Sequence, residues 1–263
     1  MSTQHHFSFR LVVSALLFVG SGLFVEAKAE EAEPSPFKES ASTFESGGKS
    51  IRIERFEPAA EGELPAVIIL HGAGGMQIGG EAFRDVARRM ARQGYVAHLV
   101  RYFDRTETRS ADLEAMRQHF ETWMDTIADA IDHAAAQPNV DGDRIGLIGF
   151  SLGSYLALSE SARNPKIKAV AEYFGGLPEV LLSEVDRLPP ILILHGNADP
   201  IVPISEARAL EKLCKDKGFP YEIKVFEGAG HGFFGPSGED AFVLVRAFFA
   251  KHLKGEVEPS AKN

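Results

Sequence analysis

The chain has 263 residues, of which 44% are hydrophobic and 25% are charged, and it contains a single cysteine. This composition is typical of a globular protein and excludes collagen-like, coiled-coil and wholly disordered chains. One cysteine rules out an intramolecular disulfide and a thiolate zinc site, and a net charge of −9 argues against nucleic acid as a partner.

The first 29 residues have the pattern of a bacterial export signal. Arg10 precedes an apolar run over residues 11–25, which is shorter than the ~20 residues of a membrane-spanning helix. Ala27 and Ala29 are small residues at the positions that a signal peptidase requires before a cut. We therefore expect a signal peptide over residues 1–29 and a periplasmic or secreted protein without stable membrane insertion. An uncleaved N-terminal anchor is the alternative.

The remaining chain is predicted to contain one folded domain. Residues 30–47 are polar and include two prolines, which predicts a flexible leader. The domain is expected over residues 48–255, followed by a disordered tail over residues 256–263.

Short apolar runs and amphipathic segments then alternate along the domain. The apolar runs predict buried strands over residues 66–70, 95–100, 145–150, 169–173, 191–194 and 221–226. The segments between them predict helices over residues 82–93, 111–137, 152–163, 205–217 and 240–254. This alternation predicts an α/β fold with a mostly parallel, twisted sheet covered by helices on both faces. The connection between residues 173 and 191 is too short for a lid domain.

A candidate nucleophile lies where the third predicted strand meets a helix. Gly149, Ser151 and Gly153 form a G-x-S-x-G pattern at that junction, where a tight turn exposes the serine hydroxyl and requires small neighbours. Elsewhere the same pattern occurs by chance, and a glycine-rich packing turn is the alternative.

An acid and a histidine follow in the chain order that this fold uses for a catalytic triad. Asp199 comes just after the predicted strand at 191–194, and His231 lies in a glycine-rich loop after the strand at 221–226. In this arrangement Ser151 is the nucleophile, His231 the base and Asp199 the group that orients the imidazole. For Asp199 the alternative is a turn cap, which Asp-Pro sequences often supply.

Backbone N–H groups for an oxyanion hole are predicted at two places. Leu152 opens the helix after the nucleophile, and Ala73 lies in the glycine-rich loop that follows the first buried strand. Such loops lie at the carboxyl edge of the sheet, where ligands bind in open α/β folds. Tyr173 and Phe233 are aromatic candidates for the substrate pocket. No metal or organic cofactor is implied.

Together these residues resemble the dienelactone hydrolase family of the α/β-hydrolase superfamily, over roughly residues 51–253. The motifs that carry the resemblance are the 149–153 turn, the acid turn at 195–203 and the histidine loop at 228–234. Family members usually have a cysteine nucleophile, so Ser151 makes this chain a serine variant. The resemblance also implies that Arg105 binds substrate, because it lies about where the family places one of its two substrate arginines.

These observations predict an exported serine hydrolase that cleaves carboxylic esters or lactones of small substrates. One alternative is a small serine peptidase similar to the prolyl-oligopeptidase group. The other is a non-catalytic binding module that retains the same fold.

Overall fold

The computed structural model describes residues 36–256. The expected signal peptide, the start of the expected leader and the tail after Glu256 lie outside this range. The described residues form eight strands and six α-helices. In chain order these are β1 (Phe37–Ser46), β2 (Lys49–Pro58), β3 (Leu64–Leu70), α1 (Gly80–Arg92), β4 (Val96–Val100), α2 (Leu113–Ala135), β5 (Val140–Phe150), α3 (Leu152–Arg163), β6 (Ile167–Tyr173), α4 (Glu179–Leu182), β7 (Ile191–Gly196), α5 (Ile204–Lys217), β8 (Tyr221–Phe226) and α6 (Pro236–Leu253).

The strands form a single sheet in the order β1-β2-β4-β3-β5-β6-β7-β8. Strands β3 to β8 are mutually parallel; β2 pairs with β4 in antiparallel orientation, and β1 pairs with β2 in antiparallel orientation. In β3 the five residues 66–70 are all inaccessible to solvent, because both faces of a parallel sheet are covered. The predicted α/β fold with a mostly parallel sheet is therefore confirmed.

Two apolar layers lie on opposite faces of the sheet. Because successive side chains of a strand point to opposite faces, Ile68 of β3 packs with Trp123 and the helices α2, α3 and α5. Its neighbour Ile69 packs with Phe249 and the helices α1 and α6. The connection from β6 to β7 contains only the four-residue α4, so the described part of the chain has no lid domain. No helix within residues 36–256 is both long and apolar enough to cross a membrane.

The flexible leader expected over residues 30–47 is wrong from Phe37 onward. All ten residues of β1 pair with β2, and the hairpin turns at Gly47 and Gly48, which have φ values of 52° and 75°. The strand was missed because most of its side chains face solvent, and only Phe44 and Ser46 are buried. An edge strand needs few apolar residues, so its composition is close to that of a polar linker.

Candidate active site

Ser151 occupies a strained turn between β5 and α3. Its φ of 53° is rare for a residue other than glycine. A Cβ on Gly153 would overlap the carbonyl oxygen of Leu70, and one on Gly149 would lie 2.5 Å from backbone atoms of Gly153 and Ser154. Both glycines are therefore required by close backbone approach, as the sequence pattern predicts.

The three predicted polar residues meet at the carboxyl edge of the sheet. His231 lies in the loop between β8 and α6, and its Nε2 is 2.9 Å from Ser151 Oγ. Its Nδ1 is 2.7 Å from Oδ2 of Asp199, which follows β7. A carboxylate can only accept a hydrogen bond, so Nδ1 carries the proton and Nε2 is free to accept one from the serine hydroxyl.

Asp199 is held as a buried carboxylate. Burial alone raises its pKa, but hydrogen bonds from His231 and from the N–H groups of Val202 and Ile201 outweigh that effect and bring the pKa below its usual value. The two N–H donors lie 3.0 and 2.8 Å from Oδ1. One carboxylate oxygen is thus fixed by the backbone, while the other faces the imidazole.

The loop after β3 lies directly against the turn that carries Ser151. A Cβ on Gly72 would be 3.3 Å from the Ser151 Cβ, and the Ala73 carbonyl accepts a hydrogen bond of 2.8 Å from Ala111 N–H. Leu152 is the first residue of α3, so its N–H has no intrahelical acceptor. Ala73 thus follows a residue that lies against Ser151, and Leu152 follows Ser151 itself, so their N–H groups stay the predicted oxyanion donors.

A cavity of about 680 Å³ opens beside Ser151 and His231, a size suited to a small-molecule ligand. Tyr173 and Phe233, which the sequence singled out, both line it, and the neighbouring Phe174 packs against His231 with a ring separation of 4.8 Å. The aromatic rings in its wall are those of Phe83, Phe150, Tyr173, Phe174, Phe233, Phe234 and Phe242. The site is therefore a triad-like arrangement of polar groups at the wall of an apolar cavity.

Arg105 does not contact this cavity, which corrects the prediction that it binds substrate. Its Nη1 donates a hydrogen bond of 2.5 Å to Ser46 Oγ and lies 3.9 Å from Asp129 Oδ2. The guanidinium also packs against Gly47 in the hairpin turn. Arg105 lies in a short 3-10 turn over residues 102–106, and its guanidinium contacts the β1–β2 hairpin.

Sequence reasoning missed Glu172, which lies near the end of β6 and is completely buried. Its Oε2 accepts a hydrogen bond of 2.9 Å from Gly175 N–H, whereas its Oε1 has no partner among the described residues. The signal available in the sequence was one acidic residue inside an otherwise apolar run. Among residues 36–256, no group of three or more His, Cys, Asp or Glu side chains is placed to hold a metal ion.

Comparisons with known proteins relate this chain to hydrolases. A Synechocystis protein assigned as a carboxymethylenebutenolidase is 26% identical over 226 residues, which cover 75% of this chain and 90% of the relative. A dienelactone hydrolase structure from Klebsiella pneumoniae superposes with a TM-score of 0.70 at 22% identity and covers 82% of this chain and 100% of that one. The acylaminoacyl peptidase of Pyrococcus horikoshii has the same TM-score at 18% identity; the match covers 86% of this chain but only 43% of that one. These two superpositions show the α/β-hydrolase fold.

The family itself follows from the match of residues 53–254 to the model of the dienelactone hydrolase family. This range includes Ser151, Asp199 and His231 and nearly all of the described domain. The chain therefore belongs to the dienelactone hydrolase family.

Proposed function

We propose that this protein is an exported serine hydrolase that cleaves carboxylic esters or lactones of small substrates through a covalent acyl-enzyme. The observation that carries the proposal is the position of the His231 imidazole, 2.9 Å from the Ser151 hydroxyl and 2.7 Å from the Asp199 carboxylate. Family membership supports the hydrolase class, and the adjoining cavity supplies room for a small ester.

The proposed reaction has two halves. Ser151 Oγ attacks the ester carbonyl carbon while its proton moves to His231 Nε2, and the carbonyl oxygen becomes an oxyanion that the N–H groups of Leu152 and Ala73 stabilise. The intermediate collapses when the bond to the leaving alcohol breaks and the imidazolium returns the proton to that alcohol. A water molecule then repeats the sequence on the acyl-enzyme and releases the acid. With a lactone, the alcohol stays attached to the acyl group.

Asp199 acts on the imidazole and not on the substrate. It keeps the proton of His231 on Nδ1, and it stabilises the imidazolium that forms when Nε2 takes the serine proton. Loss of one oxyanion donor typically costs about 3 kcal/mol of barrier, so the turn and the loop contribute to the rate alongside the triad.

The test compares residues 30–263 with the Ser151→Ala variant on p-nitrophenyl acetate and butyrate. We expect Ser151→Ala to lower kcat/KM by at least about 1000-fold, because removing a triad member removes nucleophilic catalysis. Ser159→Ala is the matched control, since this buried serine lies on the same helix α3 and its hydroxyl has no partner among the described residues.

Three results distinguish the proposal from its alternatives. Equal rates for Ser151→Ala and the parent protein contradict the acyl-enzyme mechanism. Faster cleavage of matched anilides than of esters favours the peptidase. No turnover of any ester, lactone or amide favours a binding module.

A further inference from the structure

The cavity beside Ser151 is apolar along most of its wall. Phe83 and Val86 of α1 contribute one side, Phe150 and Phe174 lie beside the triad, and Phe242 of α6 contributes another side. Side chains of this kind supply contact area and edge or face contacts to other rings, and they offer no hydrogen bonds to a charged group. The wall is therefore suited to a bulky apolar substituent.

The positive charge that the cavity could offer to an anion is already neutralised. Arg89 is the only Lys or Arg side chain in the wall among the described residues. Its Nη1 and Nη2 donate hydrogen bonds of 3.0 and 2.6 Å to the two carboxylate oxygens of Glu239. Its guanidinium also lies 3.7 Å from the centre of the Phe242 ring. Apart from Arg89 and His231, the ionisable side chains that carry charge in the wall are those of Asp85 and Glu239, and both are acidic.

The other arginines near this edge of the sheet face elsewhere. Arg105 is bound to the β1–β2 hairpin, and Arg101 and Arg109 line a separate cavity of about 160 Å³ next to His71. Within residues 36–256, no unpaired Lys or Arg therefore lines the larger cavity.

The mouth of the cavity is also apolar. Ile78, Ile201 and Phe234 come from three different loops, and 72%, 67% and 84% of their surfaces are exposed. All three line the cavity. Exposed apolar residues that cluster around a pocket mark a binding region, whereas isolated ones are common on any protein surface.

We propose that the cavity beside Ser151 takes uncharged esters or lactones with a bulky apolar group, and that it discriminates against substrates that carry a carboxylate. The reason is desolvation: a carboxylate moved from water into this wall loses its hydration and gains no cation in return. The inference rests on the proposed hydrolase function, because it names the substrate class of that same site.

The first test uses matched substrate pairs, with the carboxylate on either side of the scissile bond. One pair is p-nitrophenyl hexanoate and the p-nitrophenyl monoester of adipate, and the other is 4-acetoxybenzamide and 4-acetoxybenzoate. Each rate is divided by the rate of hydroxide-catalysed hydrolysis to remove intrinsic reactivity. We expect the neutral member to have a kcat/KM at least about 30-fold higher in one pair or both. A smaller preference in both pairs overturns the inference.

The second test releases the neutralised arginine. Glu239→Gln removes the carboxylate that pairs with Arg89, so we expect the ratio of carboxylate to neutral kcat/KM to rise at least about five-fold. Glu222→Gln is the matched control, because it makes the same change of charge on a glutamate that pairs with Lys251 outside the cavity. Equal ratios in the two variants contradict the role given to the Arg89–Glu239 pair.

Hydrolysis of the neutral esters also tests the proposed function by itself. If no neutral ester is hydrolysed, the proposed function fails, and the preference is then measured by equilibrium binding to the Ser151→Ala variant. Biphenyl-4-methanol and biphenyl-4-carboxylate are the probes. Tighter binding of the alcohol supports the apolar cavity, and equal or tighter binding of the carboxylate overturns it.

Discussion

Glu172 has a buried carboxyl group near the end of β6, and this group supports the turn that follows the strand. Burial raises the pKa of Glu172 to about 8, although the hydrogen bond from Gly175 N–H opposes that shift. Between these two residues, Phe174 has a φ of 42°, and its ring packs against His231. Glu172 therefore stabilises the turn whose aromatic side chain contacts His231.

The raised pKa makes stability depend on pH in a definite direction. The folded protein holds the Glu172 proton up to about pH 8, whereas the unfolded chain loses it near pH 4.5, so folding stability falls as the pH rises between these values. We expect the folding stability of the Glu172→Gln variant to depend less on pH, because glutamine cannot ionise. Its free energy of unfolding should gain up to about 3 kcal/mol relative to the parent between pH 5 and pH 8.

Urea unfolding at several pH values measures this difference. Exposed Glu179 supplies the control, because Glu179→Gln removes an acidic group without changing a buried one. Parallel stability curves for the parent and Glu172→Gln contradict the buried neutral carboxyl.

For individual residues, the sequence predicted the positions that follow from a local pattern. Ser151, Asp199 and His231 each follow a strand in a recognisable turn, so their position at the sheet edge could be inferred. Arg105 could not be placed, because its partners Ser46 and Asp129 come from distant parts of the chain. Pairings such as that of Arg89 with Glu239, 150 residues away, were inaccessible for the same reason.

Among the strands, β1 and β2 were the ones that sequence patterning did not reveal. The inner strands are continuous apolar runs because both their faces are covered, and helices such as α3 begin at clear turn motifs. The β1 strand has a mostly polar sequence with only Phe44 and Ser46 buried. Phe44 packs into the apolar layer that contains α2, and its ring stacks on His133 at 5.3 Å.

This hairpin gives a prediction about where the folded domain begins. A chain that starts at residue 48 lacks β1, and we expect its free energy of unfolding to fall by roughly 2–4 kcal/mol. The burial of Phe44 contributes about 2 kcal/mol of this. The rest comes from β2, which loses its ten backbone pairings on one side. Urea denaturation provides the measurement. A chain that starts at residue 36 keeps the hairpin and serves as the control, and equal stability of the two shortened chains shows that β1 is dispensable.

For the whole molecule, we propose export on the basis of residues 1–29, which lie outside the described part of the chain. The apolar run at 11–25 and the small residues Ala27 and Ala29 support it. When the full chain is produced in a bacterial host, we expect the periplasm or medium to contain a protein whose intact mass lacks residues 1–29. Ala29→Leu should reduce that cleavage, and an intact mass for the full chain in the cytoplasm contradicts the proposal.

The overall architecture was predictable because one rule generates most of it: alternating buried strands and helices produce a parallel sheet with two covered faces. What the rule leaves open is the outer part of the molecule. The antiparallel edge and the shape of the cavity depend on contacts between elements, which the alternation of strands and helices does not determine.

Trp123 is the one tryptophan of the chain, and its place in the core gives the protein a natural fluorescence reporter. The indole is fully buried, its Nε1 donates a hydrogen bond of 2.9 Å to Thr106 Oγ1, and its ring contacts Tyr102. Tyr102 in turn stacks on His71 at 4.1 Å, next to the loop that carries Ala73. Fluorescence emission from this single indole therefore reports the unfolding of the core. Only the rings of Tyr102 and His71 lie between the indole and the loop proposed to stabilise the oxyanion.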